Sequence, residues 1–327
     1  MSAAAQSLWP THRSGAHRGA PGDDVGHPLA ARRCTVQLST GRLYLDAAAS
    51  PATALLGHDS PPMPAADPRS AKGLLCSLER GYTCVAMTRS FAGALDGAAR
   101  LARSIAGAEG QLAAVNALAG EPAAGYDFLI AIENETLGRA GRWLASASWR
   151  RAPDLVVVGD AIALGYPFGA ALARNDRGEE FARNSRAIFR ADDEAVDPGT
   201  LARVQAAITT VENEGLLQHG RELADYLFSR LLAVQKTCPE IESVGANGLS
   251  YRLAIAPPLS AAQVRRGMCE RGVLVGVDDA GRLAIEPPLP LRIAEADVIT
   301  GALRGAILQL PLISASACCA SCENTTE

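Results

Sequence analysis

Two of the 31 basic side chains in this sequence, Lys72 and Lys236, are lysines, and the rest are arginines. A reaction that forms an imine through a protein amine must therefore use one of these two. Carboxylates are better placed for chemistry. Asp160 follows the apolar run "DLVVV" and a glycine, at a strand end, where open α/β sheets set their ligands. Aspartate is also a common turn residue, and we read Asp160 as that rather than as a catalytic group. Glu133 and Glu135 lie near Arg139 in "IENETLGRAGRW", as an acid site or, in the reading preferred here, as solvated loop charges. His58 in "GHDSP" reads as a structural loop histidine. Cys318, Cys319 and Cys322 form a CCxxC cluster that could bind metal or form a labile disulfide. A zinc site takes four ligands. Three thiolates and Glu323 in a tail without a packing pattern are read as no metal site.

The elements that would position these groups follow from periodicity and punctuation. "YTCVAMT" (82–88), "YDFLIAIEN" (126–134) and "DLVVVGD" (154–160) read as buried strands, and "QLAAVNALAG" as either helix or strand. "FAGALDGAARLARSIAG" sets Leu95, Ala98, Leu101, Ala102 and Ile105 on one helical face. The four prolines of "SPPMPAADPR" (60–69) exclude a regular element there. From Leu201 to residue 235 the period is helical, with Gly215 and Gly220 as breaks. A strand (248–255), a short helix closed by Gly272, a hairpin around "DDAG" and a helix over 295–310 complete the chain. The expected organisation is a disordered arm (1–33), an α/β large domain (34–200), a smaller α+β domain (201–312) and a disordered Cys-rich tail (313–327).

Taken in order, five of these stretches resemble class III pyridoxal-phosphate aminotransferases of the ornithine and acetylornithine type. "LYLDAAASPATALLGHDSP" is similar to the family's "YLDF…GHxHP" stretch, and "RSFAGALDGAARLAR" to its "NSGxEANEAAxKLAR" loop and helix. "IENETLGRAGRW" resembles "DEVQTGFGRTGK", and "PDLVVVGDAIALGYPFGAALAR" resembles "PDIVxLGKALxGGxPIGAVxx". "LAIEPPLPL" resembles "RxxPPLxI". The resemblance implies a fold type I, PLP-transferase-like large domain and a smaller C-terminal α+β domain. It also implies a pyridoxal phosphate site with a Schiff-base lysine, a carboxylate on the pyridinium nitrogen and a phosphate cup at a helix N-terminus. In this family the site lies at a dimer interface and residues of both subunits complete it.

Against that pattern the site residues have changed. The lysine position is Asp160, which has no nucleophilic nitrogen and would repel an anionic cofactor. The position of the pyridinium carboxylate is Ala131, with Glu133, two residues on and on the same strand face, as the candidate substitute. In the phosphate loop Ser90 survives, but Phe91 and Ala92 replace the small residues that let a backbone approach a phosphate. Ala284 stands for the arginine of the last motif, and Arg282, one strand period away, is the weak substrate-binding candidate. The short stretch from Gly107 to Tyr126 omits two family strands and the histidine that stacks on the cofactor ring. Because those strands share one sheet edge in the family, a shortened, five-stranded sheet is expected.

These departures lead to a degenerate family member that holds no cofactor and acts as a binding, regulatory or scaffold subunit. It would pair with itself or with an active aminotransferase. The alternative is an active pyridoxal-phosphate-dependent transaminase using an unusual site. Bulk properties set the remaining bounds. A net charge of −4 gives no case for nucleic acid or an anionic membrane. No apolar run approaches the roughly 20 residues of a membrane helix, and the N-terminus lacks a secretory core. A cytoplasmic location with free thiols is expected.

Overall fold

The computed structural model describes residues 28–48, 55–107, 109–189 and 196–309. The Cys318, Cys319 and Cys322 cluster lies outside the described residues. Strands β1 (Pro28–Arg32) and β2 (Thr35–Leu38) form an antiparallel hairpin, extended by β3 (Leu43–Asp46). The strand at 28–32 corrects the expectation that residues up to 33 form a disordered arm. Buried Val36 and Leu38 give this hairpin an apolar face, which is why it docks on the body.

Helix α1 (Pro68–Ser77) begins inside the proline-rich stretch expected to be irregular. Asp67 caps it, accepting from the Arg69 N–H at 3.0 Å and the Ser70 N–H at 3.2 Å. Pro68 fits the first turn because no hydrogen bond is asked of its nitrogen there. The central sheet follows: β4 (Tyr82–Thr88), helix α2 (Phe91–Ala106), β5 (Leu112–Asn116), β6 (Phe128–Ile132), β7 (Leu155–Val158) and β8 (Gly169–Arg174). Its order is β4-β8-β7-β6-β5. Strands β5, β6 and β7 are parallel, and β8 runs antiparallel to both neighbours. The sheet thus has the five strands expected of the shortened fold, with β5 at one edge.

Strand β7 is buried on both faces. Val156 and Val158 join the cluster containing Leu75 of α1, whereas Leu155 and Val157 join the cluster beneath α2. A strand covered on both faces reads as an unbroken apolar run. In α2 the buried positions Ala94, Gly97, Ala98, Leu101 and Ala102 recur with the helical period. Gly97 is fixed by close approach: a Cβ there would lie 2.1 Å from Phe189.

Helix α3 (Gly178–Ile188) was not expected. Helix α4 (Pro198–Asn213) is capped by Asp197 and packs against α1 and the 160–163 turn. Gly215, at φ 63°, separates α4 from α5 (Leu216–Thr237), but Gly220 is buried inside α5 and breaks nothing. The remainder comprises β9 (Ile241–Asn247), β10 (Ser250–Ile255), α6 (Ala261–Glu270), β11 (Val273–Leu274), β12 (Gly276–Val277), β13 (Leu283–Ile285) and α7 (Ile293–Gln309). A second sheet has the order β12-β13-β10-β9. Strand β11 instead lies parallel to β3 and closes a sheet of order β1-β2-β3-β11. The hairpin at the start of the described region therefore shares a sheet with β11 of the C-terminal part, and α4 packs against α1. Both contacts depart from a clean division of the chain at residue 200.

Candidate functional site

The C-terminal ends of β4, β6 and β7 lie along one side of the central sheet. The segments there are Thr88–Phe91, Glu133–Asn134 and Gly159–Asp160. Ser90 caps α2, its hydroxyl accepting from the Gly93 N–H at 3.1 Å. The surviving serine is thus bonded to one of the helix donors a phosphate would use. Ala92 is exposed in the first turn of α2. The Phe91 ring lies over the Gly159 backbone, where a Cβ would meet Phe91 Cδ2 at 2.7 Å and Asn134 Oδ1 at 2.6 Å.

Asp160 opens a 3₁₀ turn over Asp160–Ala163. Its Oδ1 accepts from the Phe168 N–H at 3.0 Å, and Asn134 Oδ1 accepts from the Ala161 N–H at 3.2 Å. These bonds pin the loop to the strand ends, the turn role read from the sequence. Leu164 closes the turn in a left-handed conformation, φ 55° and ψ 41°. The family stretch quoted above has glycine there. Glycine adopts this backbone freely, whereas a branched side chain strains in it.

Glu133 does not face open space. It is fully buried, accepting from the Ser146 N–H at 2.6 Å and from the Thr136 hydroxyl. Burial pushes its carboxyl above the usual range, against the pull of those hydrogen bonds. It clamps the loop that returns from β6, and Ala131 is buried in the core beside Val156. Arg139 is also buried, donating from Nη1 to the Pro287 carbonyl at 2.8 Å. Desolvation holds its guanidinium below its ordinary value, opposed by the nearby Glu286. Glu135 is half-buried and accepts from Asn116 Nδ2 at 3.4 Å. The three charges are neither gathered into an acid site nor solvated on a loop. Each ties the loop after β6 to a different neighbour.

In the C-terminal sheet Arg282 is half-exposed and pairs with Asp278 at 2.8 Å. More deeply set is Arg252 on β10, half-buried directly opposite Ala284; it donates from Nη2 to Glu286 at 2.6 Å. Sequence reasoning missed Arg252; its signal is a lone cation in the apolar strand "GLSYRLAI". His58 Nε2 meets Asp46 Oδ2 at 2.9 Å, both side chains buried, in the structural role expected.

The lysines lie elsewhere. Lys236 is exposed in the last turn of α5. Lys72 is exposed on α1 and borders a cleft of about 170 Å³ with Cys84, Val85, Ala86 and Met87 of β4. Strand β8 separates β4 from β7, so this cleft is about two strand spacings, or ~10 Å, from the end of β7. The strand-end residues do not fit pyridoxal phosphate: they present a bonded carboxylate where an amine is needed and an aromatic ring over the backbone. Among the described residues no His, Cys, Asp or Glu cluster could hold a metal ion, and no helix is long and apolar enough to cross a membrane.

Solved structures place this α/β architecture with the pyridoxal-phosphate-dependent aminotransferase fold. The phospholyase from Arthrobacter in complex with phosphoethanolamine superposes with a TM-score of 0.72 at 19% identity, over 87% of this chain and 94% of its own. Acetylornithine aminotransferase from Elizabethkingia anophelis gives 0.72 at 17% identity, over 91% and 97%. The Toxoplasma gondii ornithine aminotransferase gives 0.72 at 15% identity, over 89% and 91%, and carries partially occupied PLP at its active site. The class-III aminotransferase family model matches residues 108–307, and the chain belongs to that family. Acetylornithine aminotransferase 1 of Bordetella parapertussis is 29% identical over 163 residues, 50% of this chain and 40% of its own length. Ornithine aminotransferase 1 of Staphylococcus aureus is 28% identical over 178 residues, 51% and 41%. The chain spans about 40% of the length of these curated relatives.

Proposed function

We propose that this class-III aminotransferase relative forms no Schiff base and works as a binding or regulatory subunit. One observation carries the reading: at the lysine position Asp160 holds the Phe168 amide, while Phe91 covers the adjacent Gly159. Leu164 supports it, since a left-handed backbone suited to glycine has been kept under a side chain that strains in it. The loop folds without the groups that chemistry on the cofactor demands. In this reading the chain is cytoplasmic and holds no pyridoxal phosphate. It pairs with a second copy or with an active aminotransferase, whose site it completes or restrains through the retained fold. The large and small domains remain its units, with the N-terminal hairpin joined to the small one.

A second reading, a working transaminase, is favoured by the open cleft beside Lys72. Borohydride reduction in the presence of pyridoxal phosphate, followed by peptide mass spectrometry, separates the two. The subunit reading expects no site-specific pyridoxyl-lysine. Stoichiometric modification of Lys72 or Lys236 would establish the second reading instead. Co-expression with an active class-III aminotransferase tests the partner: a stable mixed dimer is expected, and strictly separate oligomers would leave self-pairing alone.

A further inference from the structure

Two cysteines that the strand-end site does not use meet where α1 packs on β4. The Cys84 N–H donates to Cys76 Sγ at 3.2 Å. An amide nitrogen and its own Cβ are about 2.5 Å apart by covalent geometry, so Cys76 Sγ lies within ~5.7 Å of Cys84 Cβ. A disulfide requires the two Cβ atoms to come to about 3.5–4.5 Å, which a χ1 rotation of Cys84 with a small shift of the end of α1 toward β4 would supply. At present the Cys84 thiol rests on the Ala86 carbonyl at 3.4 Å, a weak contact that is readily exchanged. Three further facts bear on reactivity. The cleft bordered by Lys72 is lined by Cys84 itself, which gives solutes a route to that residue. Cys76 is only half-buried. Burial pushes the Cys84 thiol up to about 12, and the Lys72 ammonium is among the groups that pull it the other way.

The geometry points to a redox-modifiable pair in which Cys76 and Cys84 join as an intramolecular disulfide, with Lys72 as the cation that favours thiolate. The co-reactant is a low-molecular-weight disulfide of the glutathione class. The Cys76 thiolate attacks one of its sulfurs, expels one thiolate and leaves a mixed disulfide. The Cys84 sulfur, giving up its proton, then attacks Cys76 Sγ and expels the second thiol. Two protein thiols are oxidised to one disulfide, the small disulfide is reduced to two thiols, and both protons pass to them. The bond staples the end of α1 to the sheet-edge strand β4, which leads through Thr88–Ser90 into α2.

Full-length protein equilibrated with glutathione disulfide, alkylated and digested without reduction tests this by mass spectrometry. The expected product is a linked Cys76–Cys84 peptide, formed ahead of other intramolecular pairs, with Tm raised by about 5 °C and restored by reductant. Cys84→Ser should stop the reaction at a glutathione adduct on Cys76. Lys72→Gln should slow disulfide formation several-fold at neutral pH, and an unchanged rate would remove Lys72 from the assignment. Both thiols remaining alkylatable, or either pairing with Cys318, Cys319 or Cys322 instead, would overturn it.

Discussion

Strand β7 and the turn that follows it make the sharpest contrast in the molecule. Leu155 to Val158 are wholly buried and shared between two apolar clusters. In Gly159 to Leu164 burial of Ala161, Ile162 and Ala163 is joined by specific constraints: the Asp160 carboxylate on the Phe168 N–H, an aromatic neighbour at Gly159 and a left-handed leucine. Packing asks only for apolar volume of roughly the right shape, and many sequences satisfy it. A cofactor site asks for particular groups at particular atoms. The strand therefore keeps the family's form at low sequence identity, while in the function proposed above the turn departs from the family at the positions chemistry would need.

The largest effect should come from the packed side of that contrast. Leu172→Ala, on β8 against Val156, removes a fully buried side chain and should cost about 3 kcal/mol in denaturant unfolding. A cost below ~1 kcal/mol would show the sheet core to be loosely packed. Gly97→Ala sets a methyl against Phe189 and should cost about 2 kcal/mol, read as a lower Tm. Glu133 adds a pH signature. Its folded pKa lies above the unfolded one, so its stabilisation is full below the ordinary carboxyl range and fades as pH rises through the folded value. Glu133→Gln should flatten that part of the stability–pH curve, and an unchanged curve would mean that Glu133 is not desolvated. The smallest effect belongs to the turn. Leu164→Gly, relieved of left-handed strain but losing apolar contact, should change stability by no more than about 1 kcal/mol. A loss as large as that of Leu172→Ala would show that Leu164 contributes packing like that of a core residue and would dissolve the contrast.

Much of the scaffold was legible in the sequence. Unbroken apolar runs marked β4, β6 and β7, and the short stretch after Gly107 pointed to a five-stranded sheet. Helix α1 was hidden because Pro68, which breaks a helix interior, is favoured in a first turn once Asp67 caps it. The β1–β2 hairpin was hidden because its first strand lies in a stretch without apolar alternation, and β11, which pairs with β3 and completes the sheet, lies far along the chain. At the site, Asp160 and Phe91 stood out as residues of the wrong type for their motif. Their partners did not stand out, since Phe168 reaches Asp160 only after the 160–167 turn folds back. Arg252 faces Ala284 through a strand register that spacing alone does not specify. Glu133 likewise meets Ser146 through a loop closure thirteen residues long.

Calorimetric titration of the purified full-length chain with pyridoxal phosphate tests the central claim most directly, because it detects noncovalent as well as covalent capture. The account predicts no saturable heat. Saturable one-to-one binding at micromolar or tighter affinity would contradict it.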